Sequence, residues 1–355
     1  MVIDIPLLSK ICEIPGVPGY ENRIRKFITE TITPFVDELS IDNIGNIITL
    51  KKGNNNPSGK KVMIAAHMDE IGFIVTHIDE KGFLWFHPLG GFDPKTLTSQ
   101  RVIVHGTEDL IGVMGSKPIH VMSPEEKVKP AKIEDFFIDL GLPYEEVIKF
   151  VFVGAPITRE RTLIEMGHCI NCKSLDNRIS VYILIEVLKL LKDHPFDVYG
   201  VFTVQEEVGL RGAQIASHTI NPDFGIGLDT TIAYDVPNAK PQERVTELGK
   251  GAAIKILDSS AISDFRMVAF LKETAKSNDI KWQPEILPAG GTDTAYVQRN
   301  GKNGSIAGAI SIPTRHIHQV IETVHKEDVI AGILLLKKAI ESFDKFNWNW
   351  DAQIN

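Results

Sequence analysis

Histidine, aspartate and glutamate side chains follow four apolar segments of the sequence and open one predicted helix. In chain order they are His67 and Asp69 after residues 61–66, Asp176 at the start of the predicted helix 176–191, Glu206 and Glu207 after residues 198–204, Asp229 after residues 224–228, and His318 beyond residues 306–312. Binding sites in open α/β sheets form beyond the carboxyl ends of the strands. Any one of these residues alone is more often structural, but their coincidence predicts one shared metal site.

The mixture of ligand types indicates which metals suit this site. Imidazole together with carboxylate suits zinc, cobalt or manganese, whereas calcium prefers oxygen ligands alone. Two divalent ions carry +4, which the carboxylates of Asp176, Glu207 and Asp229 and one hydroxide would neutralise. Two ions about 3.5–4 Å apart can share that hydroxide and polarise a carbonyl group. The residues therefore predict a hydrolytic site for two divalent metal ions.

The adjacent residues Glu206 and Glu207 are predicted to divide two tasks. Neighbours in a regular strand point to opposite faces, so both can reach one site only where the strand has ended, as Gly209 indicates. One carboxylate can then bind metal while the other accepts a proton from the attacking water and passes it to the leaving amine.

Alternating apolar and helical segments must position these residues. The predicted strands are 61–66, 198–204, 224–228, 252–257 and 306–312, and the predicted helices after residue 165 are 176–191, 209–218, 262–278, 293–300 and 326–344. Continuous apolar runs of strand length are typical of strands that are buried on both faces. The pattern predicts an α/β fold whose mixed sheet, with a mostly parallel centre, is flanked by helices.

Residues 71–164 have a different pattern. Short β-type runs recur between glycines at 72–75, 82–86, 101–104, 110–114 and 150–153, with one short helix predicted around 132–139. Closely spaced strands with turn signals predict a small β-barrel or sandwich. We therefore expect a discontinuous catalytic domain of residues 1–70 and 165–355, interrupted by an inserted β-rich domain at 71–164.

Composition excludes several other classes of protein. The 355 residues suit about two domains of ~150 residues. Basic residues number 38 and acidic residues 46, a net charge of −8 that leaves no basic face for nucleic acid. No run of about 18 apolar residues indicates a membrane span. We therefore expect neither nucleic acid nor a membrane as a partner.

The cysteines and the N-terminus indicate the compartment. Cys12, Cys169 and Cys172 are too few for a disulfide framework and suit a reducing environment. The first residues lack a basic region followed by an apolar one, so the predicted location is cytoplasmic. Cys169 and Cys172 have C-x-x-C spacing without a second pair or a thioredoxin-like context, and we interpret them as small buried thiols.

A series of motifs in fixed order covers nearly the whole chain. They are Glu13-x-Pro15-Gly16-x-x-Gly19-x-Glu21, Asp42-x-x-Gly45-Asn46, Ala66-His67-Met68-Asp69-Glu70-Ile71-Gly72, Leu175-Asp176-Asn177-Arg178, Gln205-Glu206-Glu207-Val208-Gly209, Asp229, Gly290-Gly291-Thr292-Asp293 and Ile312-Pro313-Thr314-Arg315-His316-Ile317-His318. Through them the sequence resembles the M42 family of metallo-aminopeptidases, which includes the tetrahedral aminopeptidases. The resemblance implies a fold of the co-catalytic zinc exopeptidase type. It also implies that the insertion after His67 is a PDZ-like β-domain used in assembly, often into a twelve-subunit shell.

The same resemblance implies how the metal ligands are shared. His67 and Asp229 would hold one ion, and Glu207 and His318 would hold the other. Asp176 would bridge the two ions.

The resemblance also implies roles for residues around the metals. Asp69 would orient His67 without itself binding metal, and Glu206 would be the general base. Gly291, Thr292 and Asp293 would lie near the substrate.

Three residues depart from the family pattern. His316 stands where tyrosine is usual, Gln319 where serine is usual, and Thr294 where alanine is common. His316 could compete with His318 for metal, but the motif spacing favours His318. Because none of the changes removes a ligand, they bear on specificity more than on catalysis.

The sequence therefore predicts a dimetal aminopeptidase that acts on peptides and self-associates as a dimer or a dodecamer. The residues leave open a related dimetal carboxypeptidase, dipeptidase or deacylase, a glycosidase that uses Glu206 and Glu207, and a catalytically silent assembly protein. They do not determine the preferred N-terminal residue, the native metal or the final oligomer.

Overall fold

A computed structural model describes residues 1–54 and 56–351. Within that range the helices are α1 Ile5–Glu13, α2 Asn22–Ile32, α3 Pro124–Val128, α4 Tyr144–Phe150, α5 Leu175–Leu190, α6 Arg211–Ile220, α7 Phe265–Ser277, α8 Thr294–Arg299 and α9 Lys326–Ile340. The strands are β1 Glu38–Ile41, β2 Ile47–Lys51, β3 Lys61–His67, β4 Gly72–Ile78, β5 Leu84–Leu89, β6 Arg101–His105, β7 Asp109–Ser116, β8 Phe136–Asp139, β9 Pro156–Arg159, β10 Ile164–Met166, β11 Cys169–Cys172, β12 Asp197–Thr203, β13 Phe224–Ile232, β14 Ala252–Leu257, β15 Trp282–Ile286, β16 Ile306–Arg315 and β17 Glu322–His325.

Eleven of these strands form one mixed sheet. Nine have the order β1-β2-β12-β3-β13-β16-β17-β11-β10, while β14 pairs with β16 and β15 pairs with β14. The four central strands β12, β3, β13 and β16 are parallel to one another. The outer pairings of β2 with β12, β17 with β16 and β14 with β16 are antiparallel. The predicted α/β fold, a mixed sheet with a parallel centre, is confirmed.

The central strands are apolar throughout because helices cover both faces of the sheet. In β3, Val62 and Ile64 point into the larger core, to which α5 and α9 contribute. Met63 and Ala65 point into a smaller core on the other face, formed with α6 and α8. This alternation with period two explains why a strand buried on both faces reads as one unbroken apolar run.

The predicted β-rich insertion is a closed antiparallel barrel with the strand order β4-β5-β8-β7-β6-β9. Its interior is a hydrophobic cluster separate from the cores of the large sheet and includes Phe73, Leu84, Val102 and Ile138. This separate core supports our proposal that residues 71–164 form their own domain. Strand β10, at 164–166, already pairs with β11 of the large sheet.

Two of the predictions for the barrel are wrong. Residues 150–153, predicted as a strand, are the end of α4 and a turn, because Pro143 and an acidic first turn begin a helix at Tyr144. The sixth strand is β9 instead. The predicted helix around 132–139 is a short 3-10 turn followed by β8, in which Phe136 and Ile138 are buried in alternation.

The predicted strands and helices of the large sheet are present, although their first and last residues are shifted. Every predicted strand and helix after residue 165 is present, with boundaries that differ by up to four residues. The short outer strands β10, β11, β15 and β17 were not predicted. In the described part of the chain, no helix is both long and apolar enough to cross a membrane.

The cysteines occupy structural positions. Cys169 and Cys172 are the ends of β11, three residues apart, so their side chains leave the strand on opposite faces. Cys172 is buried, and Cys169 is partly buried. Burial, together with Cys172 nearby, raises the pKa of the Cys12 thiol. The geometry fits packed thiols better than a chelating pair.

Candidate metal centre

The parallel strands bring the predicted ligands to one edge of the sheet. His67 is the last residue of β3 and lies opposite Thr203 at the end of β12. On the other side, β13 pairs with β3 only as far as Gly227 opposite Ala65. Beyond that point the pairing of the two strands ends, and Asp229 Oδ1 lies 3.7 Å from His67 Nε2. The strand ends therefore form an opening that ligand side chains line.

Two further predicted ligands come from a helix start and a turn. Asp176 lies at the start of α5, where Asn177 donates a hydrogen bond of 2.8 Å from its side-chain amide to the Leu228 carbonyl in β13. The peptide bond between Asp176 and Asn177 is cis. His318 lies in the turn after β16 and has a positive φ of 63°. Neither position follows from strand geometry alone.

The donor atoms of five predicted ligands form two groups that share Asp176. We call His67, Asp176 and Asp229 the first donor group, and Asp176, Glu207 and His318 the second donor group. In the first, His67 Nε2 is 3.5 Å from Asp176 Oδ1 and 3.7 Å from Asp229 Oδ1. In the second, His318 Nε2 is 3.4 Å from both Asp176 Oδ2 and Glu207 Oε2. Asp176 thus presents a different oxygen to each group.

These separations suit bound metal ions. Ligand atoms about 2.05 Å from a tetrahedral zinc ion are about 3.4 Å apart, close to the spacing of both groups. Glu207 Oε1 is buried and has no hydrogen-bond partner in the described structure, as expected of an oxygen that binds a cation. The donor set of two imidazoles and three carboxylates therefore fits two divalent ions.

Asp69 and Glu206 lie next to the donor groups. Asp69 is fully buried, and its two carboxylate oxygens accept hydrogen bonds of 3.1 Å from the backbone N–H groups of Glu206 and Glu207. His67 Nδ1 lies 3.2 Å from the Asp69 backbone carbonyl. Glu206 Oε2 is 3.7 Å from His67 Nε2. Asp69 thus contacts both the ligand histidine and the turn that carries the paired glutamates.

Burial of so many acidic groups shifts their pKa values. Burial, with Asp176 nearby, raises the pKa of Glu207 to about 8, although His318 opposes this shift, and burial raises that of Glu206 well above its usual range. Burial alone would lower the pKa of His318, but Glu207 and Asp176 outweigh it and raise the value to about 9. Crowded carboxylates of this kind gain from bound cations.

A cavity of about 560 Å³ opens beside the donor atoms. Its other lining residues are mainly aliphatic or small, namely Gly91, Gly209, Leu210, Thr230, Thr231, Ile232, Leu287, Ala289, Gly290, Gly291, Thr292 and Ile317. Lys255 and Asp258 complete the wall. A cavity of this size can hold one amino-acid side chain and the adjoining backbone beside the metal ligands.

The three residues predicted near the substrate divide into two kinds. Gly291 and Thr292 line the cavity. Asp293 lies behind the wall, where its Oδ2 accepts a hydrogen bond of 2.5 Å from the Thr203 hydroxyl. Burial raises the pKa of Asp293 to about 7, against the opposing effect of His67. His316 is exposed and belongs to no donor group in the described chain, so the geometry favours His318 as the ligand.

Sequence reasoning missed four charged residues at the centre. Lys255 and Asp258 line the cavity, and Lys255 Nζ is 3.2 Å from Asp258 Oδ2. Glu322 and Arg159 are buried behind the second donor group and contact its backbone. No motif or spacing in the sequence singles out any of the four.

Comparisons with known proteins identify the family of this chain. A family model for the M42 glutamyl aminopeptidases matches residues 45–335. Lysyl aminopeptidase of Pyrococcus furiosus is 37% identical over 350 residues, which cover 96% of this chain and 97% of that protein. Aminopeptidase APDkam598 from the archaeon Desulfurococcus kamchatkensis has a solved structure with a TM-score of 0.92, 36% identity and coverage of 98% of both chains.

A further solved structure is that of the Pyrococcus horikoshii TET1 peptidase, described as able to assemble into a tetrahedron or a large octahedral shell. It matches with a TM-score of 0.84 and 32% identity, covering 95% of this chain and 98% of that chain. The family model and these relatives extend over most of the sequence, including all the residues of both donor groups. The chain therefore belongs to the M42 glutamyl aminopeptidase family.

Proposed function

We propose that this chain is an aminopeptidase that uses two divalent metal ions to remove N-terminal residues from peptides. Membership of a family of peptide hydrolases supports the reaction class. The observation that carries the two-ion proposal is the Asp176 carboxylate, which directs one oxygen to His67 and the other to His318. Zn²⁺ or Co²⁺ suits these nitrogen and oxygen donors best, with Mn²⁺ as a further candidate.

In this proposal each donor group holds one ion. When bound, such ions acidify a water molecule and stabilise negative charge on a carbonyl oxygen. Asp176, as the shared member, keeps the two sites at a fixed separation. Asp69 keeps His67 and the turn at 206–207 in place through the contacts described above. The protein thus supplies ligand geometry and a sheltered cavity.

Glu206 is the proposed general base. Its carboxylate borders the centre, yet both donor groups are complete without it. It can accept a proton from the attacking water and transfer it to the amine of the departing peptide. His67, Glu206 and Glu207 also lie close enough together to hold an ion, so Glu206 as a ligand is the competing role. Metal retention after Glu206→Gln separates the two roles.

The charges of the cavity favour an aminopeptidase over a carboxypeptidase. A carboxypeptidase needs a free cation to bind the C-terminal carboxylate of its substrate. Among the described residues that line the cavity, Lys255 is the one lysine or arginine. Its Nζ is already 3.2 Å from both Asp258 Oδ2 and Glu285 Oε1. A cationic α-amino group suits this acidic surrounding better than a carboxylate.

We also propose that the chain self-associates, with the barrel as the assembly module. The TET1 peptidase is described as forming closed shells, and it covers nearly the whole of this chain. Exposed Ile111 and Val113 on β7 give the barrel an apolar outer surface. A dimer and a dodecamer are the expected species, and light scattering of the purified chain would distinguish them.

The decisive experiment for the reaction is a panel of aminoacyl amides with free and acetylated α-amino groups, assayed with and without chelator. We expect hydrolysis of the free amines alone, its loss on chelation and its return with Zn²⁺ or Co²⁺. Hydrolysis of the acetylated substrates would indicate a deacylase, and release of C-terminal residues from longer peptides a carboxypeptidase. Activity on glycosides that survives chelation would support the glycosidase alternative.

A further inference from the structure

Glu322 contacts two members of the second donor group without being a ligand. It is the first residue of β17 and is 1% exposed. Its Oε2 accepts a hydrogen bond of 2.9 Å from the backbone N–H of Asp176, and its Oε1 accepts one of 2.9 Å from the backbone N–H of His318. One buried carboxylate therefore joins the backbones of two ligand residues that come from different elements.

A second buried charge restrains His318 from the other side. Arg159, the last residue of β9 in the barrel, donates a hydrogen bond of 3.0 Å from Nη1 to the His318 carbonyl. Both polar groups of the His318 backbone are thus held by charged side chains from other elements. His318 also has a φ of 63°, a conformation that a residue with a side chain keeps only when its surroundings impose it.

We propose that Glu322 is a positioning residue that sets the separation of Asp176 and His318, and so the affinity of the second donor group for its ion. Because Glu322 binds through backbone N–H groups, the side-chain donor atoms of both residues stay available to the metal. Because Arg159 belongs to β9, the barrel also helps to hold the backbone of His318 in place. This inference rests on the proposed function, since it presumes an ion in each donor group.

The test is titration of Co²⁺ into the full chain after chelator treatment, with affinities read by competition against a chromophoric chelator. In Glu322→Gln, one acceptor oxygen is replaced by an amide NH₂ that would face a backbone N–H. We expect one of the two Co²⁺ affinities to fall about 10- to 100-fold, while the other stays near its wild-type value. The visible Co²⁺ spectrum, which reports ligand geometry, should change for that ion alone.

Asp328→Asn is the matched control. Asp328 is fully buried in α9 and accepts hydrogen bonds of 2.7 Å from the backbone N–H groups of Gly249 and Gly251, so it makes the same kind of contact outside the donor groups. Its substitution should lower the unfolding temperature and leave both Co²⁺ affinities unchanged. Equal losses of affinity in the two variants would show a general loss of stability and overturn the positioning role.

The remaining outcomes are equally decisive. Unchanged Co²⁺ affinities in folded Glu322→Gln would refute the inference while leaving the two-ion proposal intact. A wild-type chain that binds fewer than two Co²⁺ would instead refute the two-ion proposal, and this inference with it. If Glu322→Gln does not fold, Arg159→Met removes the hydrogen bond to the His318 carbonyl and should weaken the same ion. Unchanged affinity in that variant would overturn the inference.

Discussion

Replacing Asp69 by asparagine should slow catalysis without removing metal. Asp69 Oδ1 and Oδ2 each accept a 3.1 Å hydrogen bond, from the N–H groups of Glu206 and Glu207 respectively. Asparagine keeps one acceptor and turns an NH₂ group toward the other N–H. A buried donor left without a partner costs about 1–3 kcal/mol. If that cost falls on the turn that presents the glutamates, kcat should decrease roughly 5- to 150-fold.

Metal content should be preserved because the shorter contact of His67 Nδ1, 3.2 Å to the backbone carbonyl of Asp69, is retained, and only the longer contact of 3.5 Å to Asp69 Oδ1 is changed. The assay is kcat and KM on an aminoacyl p-nitroanilide with saturating metal, at a temperature where the variant is folded. Asp79→Asn is the control, since Asp79 accepts two backbone N–H groups in a barrel turn away from the centre. A kcat within twofold of wild type, or a loss that lies wholly in KM, would show that Asp69 does not position the paired glutamates for catalysis.

Three other substitutions test separate parts of the account. Glu206→Gln should retain both metal ions and lose about 10²–10⁴-fold in kcat, measured by metal analysis and steady-state kinetics, and loss of metal would make Glu206 a ligand instead. Lys173→Met should lower the free energy of unfolding in urea by about 3–5 kcal/mol, because Lys173 Nζ is 2.6 Å from the fully buried Glu70. The double variant Lys173→Met with Glu70→Gln should recover most of this loss, and an absence of recovery would argue against a charge effect. Asp109 has a pKa lowered to about 2, first by its hydrogen bond to Arg23, so its stabilising contribution is complete above its ordinary pKa of 3.8 and is lost as the pH falls toward 2. The difference in urea midpoint between wild type and Asp109→Asn should therefore shrink between pH 5 and pH 2.5, and a constant difference would contradict this assignment.

The clustering of the predicted donor residues could be anticipated from the sequence because buried parallel strands leave a clear signature. The strand 61–67 is apolar on both faces and ends at His67, so the first polar residue after the run marks the edge of the sheet. The same logic locates Glu206 and Glu207 after β12. In the structure, Asp229 lies within β13, because that strand continues beyond its apolar part to residue 232.

The barrel was harder to predict in detail. A run of four apolar residues such as Phe150-Val151-Phe152-Val153 fits a strand or a buried helix end equally well, and periodicity cannot separate them. In the structure, Pro143 and an acidic first turn begin a helix at Tyr144, and this helix continues to Phe150. The existence of a small closed β-unit was nevertheless evident, because closely spaced turns recur throughout that region.

The residues that support the ligands were not predictable. Glu322 reaches Asp176 across 146 residues of sequence, and Arg159 reaches His318 across 159. Such contacts depend on the packing of β17 and β9 against elements that are distant in the chain, and no local pattern encodes them. Asp293 was expected beside the substrate because it belongs to a motif. In the structure it does not line the cavity, and its carboxylate accepts a hydrogen bond from Thr203.

Metal content of the purified full chain, measured by plasma mass spectrometry after equilibration with Zn²⁺ or Co²⁺, is the direct test of two bound ions. The shared carboxylate of Asp176 predicts two ions per chain in the wild type and loss of both in Asp176→Ala. Asp328→Ala, outside the donor groups, should keep both. A wild-type chain that is fully active with one ion or none, or an Asp176→Ala chain that still binds two, would contradict the proposed dimetal centre.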